Sequence, residues 1–482
     1  MAVKVPIVAI IGRANVGKSS LFNVALGRRE AIVADEAGTT RDSLYGKVTF
    51  YDKDFWLVDT AGLKQKATDE FEFTIQEQIA QAADSADIIL VVIESHVTLT
   101  EEDRKVAKLA LKTRKPVILV VNKGDKIKSS PEFRDSSSEE DIFTPYRRLG
   151  IKDIFITSTT QNTGIEELFE YVSSQLPKAS IVVAEDRITV AILGRPNVGK
   201  SQLFNTLAKK QQAIVADRAG TTRDINRTAV KFMGKEIELL DTAGIRRNGK
   251  IEVGVEKFSV IRSLSATEQS DICLLLIDAN ELSVQLDQKI AGMIKEAGKG
   301  LIIIISKWDS VDKDAFTHDT MMPKIQAEFE FVPWAPMIVT SSVTGQNVSK
   351  IFEMVLEVSE MRHKRIKTTE LNGWLHKTTD YHPPAGLKNR QPKLRYIVQE
   401  EGNDSPNFKI FGSQLKFLHW SYRRHLERTF RETFGFEGTP FKFWYIDQHE
   451  PREKKDGIDW KKNLRPDQLP KQGKDQRSKG KV

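Results

Sequence analysis

Two octapeptides carry the residue types that phosphate binding needs: Gly12-Arg13-Ala14-Asn15-Val16-Gly17-Lys18-Ser19 and Gly194-Arg195-Pro196-Asn197-Val198-Gly199-Lys200-Ser201. Both fit G-x-x-x-x-G-K-[ST], and each follows a short apolar run, residues 7–11 and 190–193. That context predicts a strand feeding a turn whose exit opens a helix. Glycines at both ends of the turn keep Cβ atoms out of the way, so successive N–H groups can converge on phosphate oxygens. Lys18 and Lys200 supply positive charge for the β- and γ-phosphates, and Ser19 and Ser201 supply a hydroxyl for Mg²⁺. The helix start adds a favourable dipole. A Gly-rich turn matches this pattern by accident once, but not twice in matched contexts.

Downstream of each octapeptide an apolar strand ends in DTAG. The first is Asp59-Thr60-Ala61-Gly62 followed by Leu63, and the second Asp241-Thr242-Ala243-Gly244 followed by Ile245. An aspartate at the end of such a strand holds Mg²⁺ through water, and the N–H of Gly62 or Gly244 faces the γ-phosphate. Lys18, Asp59 and Gly62, with Lys200, Asp241 and Gly244, are therefore the expected catalytic groups.

Asn122-Lys123-Gly124-Asp125 comes directly after the apolar run 117–121. Ligands of open parallel sheets bind beyond the carboxyl ends of the strands, which suits a binding role here. An aspartate there accepts two hydrogen bonds from N1 and the 2-amino group of guanine, a donor pair adenine lacks. Asp125 thus selects the base, the stem of Lys123 lies over the ring, Asn122 braces the loop, and residues 157–160 close the pocket. The second copy reads Ser306-Lys307-Trp308-Asp309, with serine where the first has asparagine. A serine offers one hydroxyl, so a weaker hold on guanine is expected at this site. The same serine keeps a rival reading open: a GTP-gated binding module whose second nucleotide domain is mainly structural.

The elements that must position these groups alternate. The pattern predicts a helix over 20–26, strands near 46–50 and 55–58, a helix over 69–83, a strand over 87–93, a helix over 101–113 and strands over 117–121 and 154–156. That order means βαβ units in an α/β fold with mainly parallel sheets. Residues 12–42 align with 194–224 at a constant offset of 182, with 21 of 31 positions identical, which marks a duplicated domain. The expected organisation is G domain 1 over 1–177, a linker over 178–186 and G domain 2 over 187–360. A small α+β domain over 361–448 and a basic, disordered tail over 449–482 complete it. In the third unit strands are expected at 394–399, 408–411 and 441–446. A basic, aromatic-bearing helix over 414–433 (Trp420, Tyr422, Arg423, Arg424, Arg428, Arg431) faces either RNA or the domain's own core.

Composition bounds the class. The single cysteine, Cys273, excludes a disulfide framework and suggests a reducing compartment. The N-terminus has no signal-peptide run, and apolar runs such as 301–305 are too short to span a bilayer, so a cytoplasmic protein without a membrane partner is expected. Residues 1–360 carry a net charge of −5 and residues 361–482 a net of +12. A basic appendage on a mildly acidic body points to an anionic partner, nucleic acid first.

The order GRxNVGKS, GTTRD, DTAG and NKxD, given twice and followed by a small basic domain, resembles the bacterial double-Era-like GTPases (Der, also called EngA). Residues 383–388, 395–399 and 436–440 are similar to that family's C-terminal KH-like domain, though no GxxG loop is present. The resemblance implies tandem P-loop, Ras-like G domains, GTP hydrolysis to GDP and phosphate, and a role in assembly of the large (50S) ribosomal subunit. The implied partners are that subunit and its rRNA, with the chain acting as a monomer. It also implies that Thr40 and Thr222 join Ser19, Asp59, Ser201 and Asp241 as Mg²⁺ ligands. Ras-like enzymes place a water-orienting glutamine where this chain has Leu63 and Ile245. Relatives with that replacement use K⁺ held partly by a phosphate-loop asparagine, the position of Asn15 and Asn197; otherwise these asparagines only brace their loops.

Overall fold

The computed structural model describes residues 2–3, 5–27, 45–50, 53–59, 86–95, 98–129, 139–176, 181–182, 187–210, 226–241, 260–282, 285–311, 317–387, 390–401 and 405–447. The expected helix over 69–83, both GTTRD segments, most of the linker and the tail 449–482 lie outside the described residues. The chain groups into two compact units. The first comprises Met1–Ile366, Gln399–Phe408 and Arg424–Lys442, and the second Lys367–Val398, Lys409–Arg423 and Phe443–Val482. Both copies of the repeat therefore fall in the first unit.

In chain order the first copy gives β1 (Ala2–Val3), β2 (Ile7–Ile11), α1 (Lys18–Gly27), β3 (Tyr45–Phe50), β4 (Lys53–Asp59) and β5 (Ile88–Glu94). It continues with α2 (Glu101–Lys112), β6 (Val117–Asn122), α3 (Glu139–Arg147), β7 (Asp153–Ile156) and α4 (Ile165–Gln175). β8 (Ile181–Val182) pairs antiparallel with β1. The second copy gives β9 (Arg187–Gly194), α5 (Lys200–Lys210), β10 (Asn226–Phe232), β11 (Lys235–Asp241), α6 (Val260–Glu268) and β12 (Ile272–Asp278). Then come α7 (Gln285–Glu296), β13 (Gly300–Ser306), α8 (Thr317–Glu328), β14 (Met337–Val339) and α9 (Val348–His363).

The two six-stranded sheets have the same order, β3-β4-β2-β5-β6-β7 and β10-β11-β9-β12-β13-β14. In each, the outermost pair (β3 with β4, β10 with β11) is antiparallel and the other pairings are parallel. Each strand that feeds a phosphate loop, β2 or β9, is central, and the chain turns from it to opposite sides. That switch point is where an open parallel sheet leaves a crevice for a ligand.

Register places the functional residues together at one end. Asp59 is opposite Ile10, Glu94 opposite Asn122, and Asp278 opposite Ser306. β2 is buried along its whole length, with Val8 and Ile10 packing on Phe22, Phe55 and Phe169. Ile7, Ala9 and Ile11 pack on the opposite face, in a cluster that continues from Trp56 and Val58 into Leu240, Leu264 and Ala266 of the second copy. Burial on both faces is why these strands read as unbroken apolar runs.

α9 runs through the boundary expected at 360. In the second unit α10 (Thr368–Tyr381) packs with β15 (Lys393–Gln399), Asn372 exchanging hydrogen bonds with both backbone groups of Ile397 at 2.9 and 3.0 Å. β16 (Asn407–Ser413) and β17 (Lys442–Asp447) complete a sheet of order β15-β16-β17. The expected helix over 414–433 starts late. Gln414 takes a left-handed φ of 60° and opens a short 3₁₀ turn whose N–H groups are accepted by Asp447, so α11 spans Trp420–Phe434. Of the residues considered for RNA contact on it, Tyr422 is buried and donates to His382 O. In the first unit Arg431 lies over the rings of Trp334 and Phe441 and donates to Phe436 O and Thr439 O, and burial pushes its guanidinium down to about 10. Trp420, Arg424 and Arg428 stay exposed.

Candidate nucleotide sites

The phosphate loops leave β2 and β9 through glycines that tolerate no side chain. Gly12 has a φ of 153° and Gly194 of 142°, and a Cβ there would lie 2.4 Å from Val92 O or 2.6 Å from Leu276 O. The loop is therefore pressed against the neighbouring strand, β5 or β12. Lys18 Nζ donates to Gly12 O at 2.9 Å and Arg13 O at 2.5 Å, and Lys200 Nζ to Gly194 O and Arg195 O at the same two distances. Each ammonium is thus held across its own loop. Asn15 and Asn197 have left-handed φ values of 65° and 61°, and both are exposed. Among the described residues neither amide side chain bonds its own loop, so the bracing role considered for them finds no bond there.

Ser19 Oγ donates to Asp59 Oδ2 at 2.5 Å, joining the start of α1 to the end of β4. Asp59 and Asp241 are buried at equivalent strand ends, and Ser201 is the second residue of α5 as Ser19 is of α1. A hydroxyl beside a buried carboxylate is an oxygen donor set suited to a small hard cation. Thr40, Thr60, Ala61, Gly62, Leu63, Thr222, Thr242, Ala243, Gly244 and Ile245 lie outside the described residues.

The base-reading loops follow β6 and β13. Lys123 and Lys307 have left-handed φ values of 60° and 56°, which turn the chain into short 3₁₀ segments containing Asp125 and Asp309. Gly124 N donates to Thr157 O at 2.9 Å, and Trp308 N to Thr340 O at 3.1 Å. Ser158 Oγ donates to Asp125 Oδ1 at 2.6 Å, while Asp309 is exposed.

Asn122 is fully buried and donates through Nδ2 to Val16 O at 3.1 Å, tying the base loop to the phosphate loop. Ser306 makes the same tie, with Oγ 2.7 Å from Val198 O and 3.0 Å from Ile277 O. The single hydroxyl thus makes the part of the asparagine's set that reaches the phosphate loop.

An acid network escaped the sequence reading. Arg13 pairs with Glu94 at 2.9 Å and Asp103 at 3.2 Å, and Lys123 pairs with Glu94 and donates to Asn15 O. In the second site Arg195 pairs with Glu281 at 2.8 Å and Asp287 at 3.0 Å, and Lys307 with Asp278 at 2.7 Å. Burial pushes the Asp278 carboxyl up, but Lys307 and Asn280 outweigh it and hold it below the ordinary carboxylate range. The available signal was an acid ending an apolar strand and another in the first turn of the next helix, at the same offset in both copies.

Known proteins now bear on this geometry. The family described as "50S ribosome-binding GTPase" matches residues 7–123 and 189–307, and "KH-domain-like of EngA bacterial GTPase enzymes, C-terminal" matches 365–445. GTPase Der of Caldanaerobacter subterraneus subsp. tengcongensis is 42% identical over 433 residues, spanning 90% of this chain and 96% of its own. The chain belongs to the GTPase Der family. GTPase Der of Alkaliphilus metalliredigens is 39% identical over 91% of this chain and 98% of its own. Among solved structures, Era of Aquifex aeolicus bound to GDP·AlF4⁻ is 21% identical over 55% of this chain and 93% of its own, with a TM-score of 0.28. As a Der GTPase, the chain carries two tandem G domains with mainly parallel sheets and a KH-like C-terminal domain, binds guanine nucleotide and hydrolyses GTP. Among the described residues no helix is long and apolar enough to cross a membrane.

Proposed function

We propose that this Der GTPase is a cytoplasmic, monomeric, K⁺-stimulated switch with two working nucleotide sites that assists assembly of the large ribosomal subunit. The supporting observation is that the phosphate-binding arrangement is built twice, down to both lysine contacts and the tie from the base loop, which Ser306 keeps. Asp125 and Asp309 take the guanine edge. Ser19, Thr40 and Asp59 would hold Mg²⁺ in the first site, and Ser201, Thr222 and Asp241 in the second. When bound, that ion offsets charge on the β- and γ-phosphate oxygens. Lys18 and Lys200 leave their loop carbonyls for the phosphates, and Gly62 and Gly244 offer N–H groups to the γ-phosphate. Asn15 and Asn197, exposed at the mouths of their loops, would carry K⁺ in place of a water-orienting glutamine.

The basic C-terminal quarter of the chain, residues 361–482 with a net charge of +12, supports an rRNA partner. Single-site variants test the enzyme reading. Lys18→Ala and Lys200→Ala should each abolish nucleotide binding at one site and leave hydrolysis at the other. Loss of both sites in either variant would overturn independent sites. Co-sedimentation with ribosomal subunits under a GTP analogue, GDP and no nucleotide tests the partner. Binding to the large subunit that depends on the GTP analogue is expected, and binding indifferent to nucleotide would remove the switch.

A further inference from the structure

The two sites differ at two buried polar atoms. In the first, Thr157 Oγ1 lies 3.4 Å from Asn122 Oδ1, while Asn122 Nδ2 donates to Val16 O. One side chain thus joins the phosphate loop to the loop that closes the base pocket. In the second, Ser306 keeps the phosphate-loop arm but has no second polar atom to offer. Thr340 Oγ1, the counterpart of Thr157, is buried and has no hydrogen-bond partner among the described residues.

The other difference lies on the far side of the phosphate loop. Arg13 is held by Asp103, whose Oδ2 accepts the Thr100 hydroxyl at 2.8 Å and the Thr100 N–H at 3.1 Å. Arg195 is held by Asp287 in the same way, but Asp287 Oδ1 is buried with no hydrogen-bond partner among the described residues. At the offset that aligns Asp103 with Asp287, Thr100 corresponds to Val284, which carries no hydroxyl.

We propose that these two missing partners make the second site release guanine nucleotide faster than the first, where Thr157 and Thr100 are positioning residues; this rests on the reading of both as guanine-nucleotide sites. Release requires the phosphate and base loops to part. Parting them in the first site breaks the bridge through Asn122. In the second it breaks one bond fewer and lets water reach two atoms whose burial was uncompensated. An unsatisfied buried polar group carries a penalty that opening relieves, so release should be roughly 5-fold faster or more. The Thr157 contact is long for a hydroxyl hydrogen bond, so its own share is about 2- to 5-fold.

The test is stopped-flow release of methylanthraniloyl-GDP from the full chain, with Lys200→Ala reporting the first site and Lys18→Ala the second. Faster release from the second site is expected. Ser306→Asn should slow it towards the first, while Thr157→Val and Thr100→Val each speed release from the first. Thr340→Val replaces an unpaired hydroxyl with a methyl and should raise the thermal midpoint, whereas Thr157→Val lowers it. Equal release rates, no slowing by Ser306→Asn, or a lower midpoint for Thr340→Val would each overturn the inference. Failure of both backgrounds to retain labelled GDP would instead overturn the guanine-nucleotide reading, and the inference with it.

Discussion

Trp56 donates its indole N–H to Glu268 Oε1 at 2.6 Å, joining β4 of the first copy to the last residue of α6 in the second. The other carboxylate oxygen accepts Val5 N–H at 3.3 Å. Tyr45 sits edge-on to Trp56, its ring 6.1 Å away, and donates to Lys289 O of α7 at 2.7 Å. Burial first, then Glu296, pushes its hydroxyl far above the ordinary tyrosine range. The contact between copies thus includes one buried carboxylate that accepts two donors, besides the tyrosine bond and the shared apolar cluster.

Glu268→Ala should therefore destabilise the chain by about 2–4 kcal/mol, since each buried donor left without an acceptor costs about 1–3 kcal/mol. Glu268→Gln keeps an acceptor for the indole and should cost about 1 kcal/mol. Urea unfolding followed by circular dichroism measures both. Equal costs for the two variants would mean that the carboxylate acts only by filling space.

Potassium should stimulate GTP hydrolysis well above sodium. Leu63 and Ile245 bear no group that orients water, and the Asn15 and Asn197 side chains stand exposed beside the phosphates' expected place. Steady-state rates in the two salts at matched ionic strength decide this, and equal rates would contradict it.

Asp287 gives the stability a pH dependence of known sign. Burial pushes its carboxyl up to about 6, against an ordinary value of 3.8, and Arg195 only partly offsets this. Between about pH 4 and 6 the folded chain binds this proton more tightly than the unfolded chain. Its contribution to stability therefore falls as pH rises through that window and is constant above it. Asp287→Asn should flatten this part of the thermal-midpoint profile between pH 4.5 and 6.5. A profile with unchanged slope would show that another group is responsible.

Ribosome association should weaken as salt rises, through release of counterions from RNA phosphates by the +12 region 361–482. Deleting residues 451–482 removes a net charge of +6 and should flatten the slope while leaving GTP hydrolysis intact. The slope of binding against salt concentration is the measurement, and an unchanged slope would take the tail out of the interface.

Much of this was legible because it is local or periodic. The run 117–121 is apolar at every position because β6 is buried on both faces, and its end places Asn122 against the phosphate loop. The Gly12 and Gly194 turns show in sequence because only glycine fits so close to a neighbouring strand. The late start of α11 was not legible, because the residue that turns Gln414 into a left-handed conformation is Asp447, 33 positions away. Whether Arg431 faced RNA or the core was not legible, because nothing nearby in sequence announces Trp334. Glu94, Arg13 and Lys123 likewise meet only once β5 and β6 are in register.

β13 has a mechanical consequence. At one end Ser306 touches the second phosphate loop; at the other, Leu301 N–H is taken by Gly438 O at 2.9 Å, and Gly438 N–H by Trp334 O at 2.7 Å. An extended strand scarcely compresses along its axis, and this one is about 20 Å long. Its stiffness would carry an axial shift of Ser306 through to Leu301 and Gly438, as a push-rod does.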